Sequence, residues 1–158
     1  DWRHFARTNA DIVRIVHGVE DMHQSEQDGL LGILLGFQNS SMLGDDPENA
    51  GIFADVGIRV VQLTYNIANH LGSSCWEHED GGLTRTGHRM VTALNEAGVL
   101  VDVSHVGNRT AREAIDASSR PIVNYFGVHE FTQCPDHGVS FSQQNVIDLC
   151  NMFIHVIS

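Results

Sequence analysis

His105 lies where an apolar run of the sequence becomes polar, and a histidine side chain in this position could take part in chemistry. The run from Gly98 to Val106 reads GVLVDVSHV, and its β-branched residues are typical of a strand that is buried on both faces of a parallel sheet. In parallel α/β folds, ligands and catalytic groups gather at the carboxyl ends of the strands. A histidine at such an end can bind a metal or transfer a proton, although a structural histidine is equally common there.

Polar pairs also close the other predicted strands, which we place at 30–37, 58–64 and from 121 onward. The carboxyl ends of parallel strands lie at one edge of a sheet, so these pairs would surround one mouth. The alternative is that a strand end is polar simply because a loop begins there, and the asparagines at 39 and 66 suit turns. The pairs are Gln38 and Asn39, Tyr65 and Asn66, and Asn124 and Tyr125.

Helices are predicted between these strands, so the fold class is α/β. Apolar spacing favours an amphipathic helix from Phe5 to Met22, broken near Thr8, and three more helices at about 46–56, 84–97 and 108–117. Strands that alternate with helices predict a parallel sheet with right-handed crossovers. The loop at 66–83 is too long for a simple connector, and loops of this length are usually functional or disordered. Its polar residues and single tryptophan favour an ordered rim.

Composition and charge limit the partners. With 9 basic and 20 acidic side chains the net charge is -11, which argues against nucleic acid or an anionic membrane surface as a partner. The three cysteines form no CxxC pair, which favours a reducing compartment. We see no signal peptide and no apolar run of ~18 residues, and therefore expect a cytoplasmic protein that binds a small molecule. Without an initiator methionine, the sequence is expected to begin inside a longer protein.

Three stretches resemble one known family. They are GILLGFQNSSML at 32–43, GIRVVQLTYNIANHLGSSCWEHEDGGLTRTGHRMV at 57–91 and GVLVDVSHVGNRTAREAI at 98–115. In this order they are similar to the membrane dipeptidases, the renal-dipeptidase-like zinc metallopeptidases. The resemblance implies an incomplete (β/α)8 TIM-type barrel, with about four parallel βα units in this chain. It also implies a site with two zinc ions that hydrolyses dipeptides, often with a D-residue at the carboxyl side.

The resemblance assigns roles to three residues. His105 corresponds to a histidine that ligates zinc, and Gln38 to a glutamate that bridges both metals and takes part in catalysis. Tyr65 corresponds to a catalytic, substrate-contacting histidine of some members. The next residue, Asn66, is a further candidate for binding substrate, and a turn role is the alternative for it. Because Gln38 is neutral, it cannot act as a charged bridge, which weakens the metal site. The HxD pair of the family's first strand is absent from this sequence.

The resemblance ends after Val123. Phe126 stands where the family has a further zinc-binding histidine. We therefore predict a partial TIM-barrel dipeptidase domain at 1–126 and leave 127–158 unassigned. One hypothesis is that this irregular segment is an out-of-frame or non-native tail, and its apolar stretch at 146–157 fits a helix or a strand.

The function predicted from these observations is zinc-dependent hydrolysis of a dipeptide by a metal-activated water. Because Gln38 is neutral and the other family ligands are missing, we expect activity of this fragment to be impaired or absent. The alternative is a non-catalytic α/β binding or interaction module that uses the loop at 66–83 as its contact surface. A third reading is a truncated product without function. The sequence leaves the oligomeric state open.

Overall fold

Strands and helices alternate along the computed structural model, which describes residues 2–124, 146–147 and 154–157. A 3-10 helix at Ser40–Leu43 follows the second strand. In chain order the elements are α1 (Trp2–Thr8), β1 (Val13–Val16), α2 (Val19–Gln27), β2 (Leu31–Phe37), α3 (Asn49–Asp55), β3 (Val60–Gln62), α4 (Arg85–Glu96), β4 (Leu100–Asp102), α5 (Asn108–Ala117), β5 (Ile122–Val123), β6 (Val146–Ile147) and β7 (Ile154–Ile157).

The strands form one parallel sheet in the order β1-β2-β3-β4-β5-β6, with β7 beside β2. The register pairs Val60 with Leu100 and Gln62 with Asp102 between β3 and β4, and Asp102 with Val123 between β4 and β5. All carboxyl ends therefore lie at one edge of the sheet. The predicted α/β class and parallel sheet are confirmed.

The core lies mainly between the sheet and its helices. The α4 side chains Met90, Val91 and Leu94 are fully buried and belong to one cluster with the strand residues Val61 and Val101. Side chains alternate between the two faces of a strand. The opposite face of the sheet accordingly holds a second, smaller cluster, made of Val16, Leu34, Val60 and Val123.

The N-terminal segment differs from the sequence prediction. The predicted helix from Phe5 to Met22 does break near Thr8, where α1 ends, but β1 at Val13–Val16 interrupts it before α2 begins at Val19. Apolar residues spaced by three and four suggested a helix, but the sequence VRIV is short and β-branched, and such runs are ambiguous. This segment is a strand because it pairs in parallel with β2. Five strands, not four, therefore lie within residues 2–124.

Local signals placed the later elements more accurately. The Thr84 hydroxyl accepts the Gly87 N–H at 2.9 Å and caps α4, and Gly98 follows the helix with a φ of 69°. Helix α5 covers Asn108–Ala117, the predicted range, but its N-cap is Gly107, whereas the residue types favour Asn108 as the cap. Asp46 accepts the N–H of Glu48 at 3.1 Å, and α3 starts after this turn.

The C-terminal part of the chain is described only at two short strands. The apolar stretch predicted as helix or strand contains β6 and β7, which pair with β5 and β2. The remainder of the segment 127–158 lies outside the described residues, as do Tyr125, Phe126 and the predicted domain boundary after Phe126. Among the described residues, no helix is long and apolar enough to cross a membrane.

The close approach of α4 to the long loop generates a prediction. A Cβ added at Gly87 would lie 2.2 Å from the Leu71 carbonyl oxygen, whereas one added at Gly51 in α3 meets nothing within 4 Å. We expect Gly87→Ala to lower the free energy of unfolding by about 1–3 kcal/mol. The matched control Gly51→Ala should raise it by up to about 1 kcal/mol. Urea unfolding measures both, and equal effects of the two substitutions would contradict the packing described.

Candidate active site

His105 and Tyr65 lie side by side at the carboxyl edge of the sheet. Tyr65 follows β3 and His105 follows β4, and their ring centroids are 4.9 Å apart with the planes tilted by 59°. Both residues are partly exposed. The His105 carbonyl accepts the Cys75 N–H at 2.9 Å, and the Thr64 hydroxyl donates to the same oxygen at 3.4 Å. The structure therefore brings together two of the four residues predicted for the site.

A buried polar cluster lies directly beneath His105. The Asp102 Oδ1 atom accepts the Ser104 N–H at 2.8 Å and the Ser104 hydroxyl at 2.6 Å. The Gln62 Nε2 atom donates to the Ser104 carbonyl at 2.5 Å. The Ser104 hydroxyl also lies 3.3 Å from Asn124 Oδ1. Gln62 of β3, Asp102 of β4 and Asn124, which follows β5, thus all lie next to Ser104.

Burial controls the ionisation of Asp102, whose side chain is only 7% exposed. Loss of solvation raises the pKa of Asp102 above its ordinary value, while the hydrogen bonds from Ser104 and the nearby charge of His105 act in the opposite direction. A carboxylate at this depth is stable only with hydrogen-bond partners. Ser104 provides them, so the cluster is a fixed part of the structure.

Two residues of this edge have unusual backbone geometry. Asn66 has a φ of 60° and His105 a φ of 57°, and no other non-glycine residue among those described has a positive φ. The left-handed conformation costs about 1–2 kcal/mol for an L-residue with a side chain. Such strain persists only where the surrounding structure enforces it, and it is concentrated at functional sites. Its occurrence after two adjacent strands marks this edge as the candidate site.

Asn66 takes the geometry of a turn. Its carbonyl accepts the Ser74 hydroxyl at 2.7 Å, and its side chain is exposed. The predicted role of Asn66 in binding substrate is neither supported nor opposed by these contacts, and it stays a prediction.

Gln38 lies at the same edge, two strands away from His105. It follows β2, and the strand spacing of ~4.8 Å puts its backbone about 10 Å from that of β4. Its side chain is partly exposed. The neighbouring Asn39 accepts the N–H and hydroxyl of Ser41 and so begins the 3-10 helix. The structure places Gln38 at the mouth, two strands away from the strand that precedes His105.

The loop at 66–83 is an ordered rim of the site, and hydrogen bonds join it to α5. Asp80 accepts the Arg109 N–H at 2.6 Å and the Thr110 hydroxyl at 2.8 Å, and Glu113 accepts the Leu83 N–H at 2.6 Å. The bridge between Ser74 and Val106 joins the loop to the turn after His105. These contacts hold the loop in a fixed position beside His105.

The side chains of the described residues can be compared with the ligands that a zinc ion requires. No group of three or more His, Cys, Asp or Glu side chains among these residues could hold a metal ion. At the mouth they provide one imidazole, from His105, and a neutral amide, from Gln38. A catalytic zinc ion usually has three protein ligands. The described residues therefore do not fit a complete zinc site.

Sequence reasoning overlooked two residues that organise this edge. Gln62 lies within the predicted strand at 58–64, and its amide within the apolar run VVQL is a signal of a buried polar contact. Asn69 lies in the loop at 66–83, and its Nδ2 atom donates to Asn39, Ser40 and the Leu63 carbonyl. A loop sequence alone contains no sign of these distant partners.

The buried Asp102 carboxyl predicts a pH dependence of stability. Its pKa is higher in the folded chain than its ordinary value of 3.8, so the folded state binds more protons between the two values. The free energy of unfolding then falls as pH rises through this window. Asp102→Asn keeps an acceptor oxygen and removes the titration. We expect urea unfolding to show wild type losing stability relative to this variant as pH rises from 3.8. A difference that does not change with pH would contradict this.

Comparisons with known proteins show what this chain is similar to. The family described as membrane dipeptidase (peptidase family M19) matches residues 1–128. Dipeptidase tcpJ of Claviceps purpurea is 27% identical over 143 residues, which are 86% of this chain and 34% of that protein. The crystal structure of an amidohydrolase from Pseudomonas aeruginosa is similar with a TM-score of 0.73 and 36% identity, over 77% of this chain and 37% of that one.

A third similarity concerns the fold alone. A metallo peptidase from Rhodobacter sphaeroides, solved with a phosphinate mimic of the dipeptide L-Ala-D-Ala, has a TM-score of 0.65 at 19% identity, over 71% of this chain and 34% of that one. The chain thus spans about a third of the length of the proteins it matches. Its parallel sheet is part of the TIM-type barrel of these relatives. Since the family matches most of its residues, the chain belongs to the membrane dipeptidases of peptidase family M19.

Proposed function

We propose that this chain carries one side of a zinc-dependent dipeptidase site, with His105 as a metal ligand and Tyr65 and Asn66 beside the substrate. The contact between the Tyr65 and His105 rings is the observation that carries the proposal. It joins two residues that the family resemblance assigns to the site, at the edge of the sheet where parallel α/β proteins bind ligands. The relative named as a dipeptidase supports a dipeptide as the substrate.

The described donors limit what the chain can do by itself. His105 is the imidazole donor that they place at the mouth, and Gln38 offers a neutral oxygen where the family resemblance places a bridging glutamate. A neutral amide binds a divalent cation more weakly than a carboxylate does, because it carries no net charge to attract the ion. We therefore propose that hydrolysis by this chain is impaired or absent.

A second candidate function is a non-catalytic interaction module. It is favoured by the exposure of apolar side chains on the rim loop, where Trp76 is 74% and Ile67 68% exposed. The hydrogen bonds to α5 hold this loop in place, so these side chains would be presented without a large ordering cost. Such a module would bind its partner without zinc, whereas the dipeptidase proposal requires zinc at His105.

Zinc binding separates these functions. We expect the purified chain, equilibrated with zinc and measured by elemental mass spectrometry, to bind a measurable amount of zinc but fewer than two equivalents per chain, because its described donor set is incomplete. The substitution His105→Ala should remove at least half of the bound zinc. Hydrolysis of L-Ala-D-Ala, assayed in parallel, should be weak or undetectable.

The control is His23→Ala, which removes an exposed histidine of α2 and leaves the mouth intact. It should keep the zinc content of the wild type. Absence of zinc binding in the wild type would reject the dipeptidase proposal and favour the interaction module. Full zinc content in His105→Ala would remove His105 from the metal site.

A further inference from the structure

The turn from Ser104 to His105 is held by side chains from two strands and by the backbone of the rim loop. We propose that Asp102 and Gln62 are positioning residues, which fix the peptide groups on both sides of Ser104 and thereby hold the His105 imidazole beside Tyr65. Neither residue is part of the predicted set of ligands and substrate contacts. The functional meaning of this inference rests on the proposed role of His105, but its geometry can be tested without any activity.

Asp102 fixes the amino side of Ser104. One carboxylate oxygen accepts both the N–H and the hydroxyl of Ser104, which is the turn that aspartate forms with the residue two positions later. Both side chains are buried, with 7% of Asp102 and 2% of Ser104 exposed. Rotation of the Ser104 backbone would leave buried polar groups without partners, and this is strongly unfavourable.

Gln62 fixes the carbonyl side of Ser104. Its amide donates to the Ser104 carbonyl oxygen, and that carbonyl belongs to the peptide plane that contains the His105 nitrogen. Gln62 is 3% exposed and is paired in register with Asp102 on the adjacent strand. The sheet itself therefore sets the distance between this donor and its acceptor.

The peptide plane after His105 is also fixed. The Cys75 N–H and the Thr64 hydroxyl both donate to the His105 carbonyl. Since φ and ψ describe the rotation of these two peptide planes about one Cα atom, fixing both planes fixes the φ of 57° and the direction of Cβ. The imidazole then has only its own side-chain torsions left, and the Tyr65 ring restricts these.

Amide hydrogen exchange tests the inference on the full chain. The reporter is the Cys75 N–H, which is protected by its bond to the His105 carbonyl. In Asp102→Leu and in Gln62→Met, which keep shape but lose the acceptor or donor, this amide should exchange at least tenfold faster, and the His105 Cα chemical shift should move towards that of an ordinary loop residue. Asp102→Asn keeps the acceptor oxygen and should restore protection to within twofold of the wild type.

Val101→Ala is the control for a general loss of stability. Val101 is a fully buried residue of the same strand that faces the helices, so its truncation should speed exchange of amides throughout the sheet without a larger effect at Cys75. A tenfold effect confined to the turn supports the inference. No change in Asp102→Leu and Gln62→Met, or an equal local change in Val101→Ala, overturns it. None of these exchange measurements depends on bound zinc. A failure of this inference can therefore be distinguished from a failure of the proposed function, which the zinc measurement tests.

Discussion

The hydrogen bonds from Ser104 to the buried Asp102 carboxylate are the contact on which the candidate site depends. A carboxylate removed from water is costly unless it is paired, and here its partners are the backbone and hydroxyl of the residue before His105. The Ser104 N–H and hydroxyl replace the water that the buried carboxylate loses, and the carboxylate in turn fixes the conformation of the turn at Ser104. Gln62 extends this arrangement to the next strand.

The rest of the chain positions this turn. Parallel pairing brings the ends of β3 and β4 to one edge, and fully buried side chains of α4 pack on the sheet below. Asp80 and Glu113 join the rim loop to α5, and the loop returns a backbone N–H to the His105 carbonyl. The strained backbone of His105 is therefore enforced by contacts from several directions, as expected of a functional site.

Sequence reasoning succeeded where the signal was local. The strand before His105 could be predicted from its β-branched run, and α4 from its capping threonine and terminal glycine, because these preferences arise from near neighbours. The segment VRIV of β1 could not, because only pairing with β2 distinguishes it from a helix. The contact between Gln62 and Ser104 spans 42 residues and depends on strand register, which no local pattern specifies. Family membership followed from motifs, whereas the separation of Gln38 from His105 by two strands follows only from the strand order of the sheet.

Contacts from the surrounding residues hold His105 in a left-handed backbone conformation. The most direct measurement compares the free energy of unfolding of His105→Gly with that of His105→Ala. Both substitutions remove the imidazole, and they differ in whether the residue carries a Cβ that opposes a positive φ. We expect the glycine variant to be the more stable by about 1 kcal/mol. An alanine variant of equal or greater stability would contradict it.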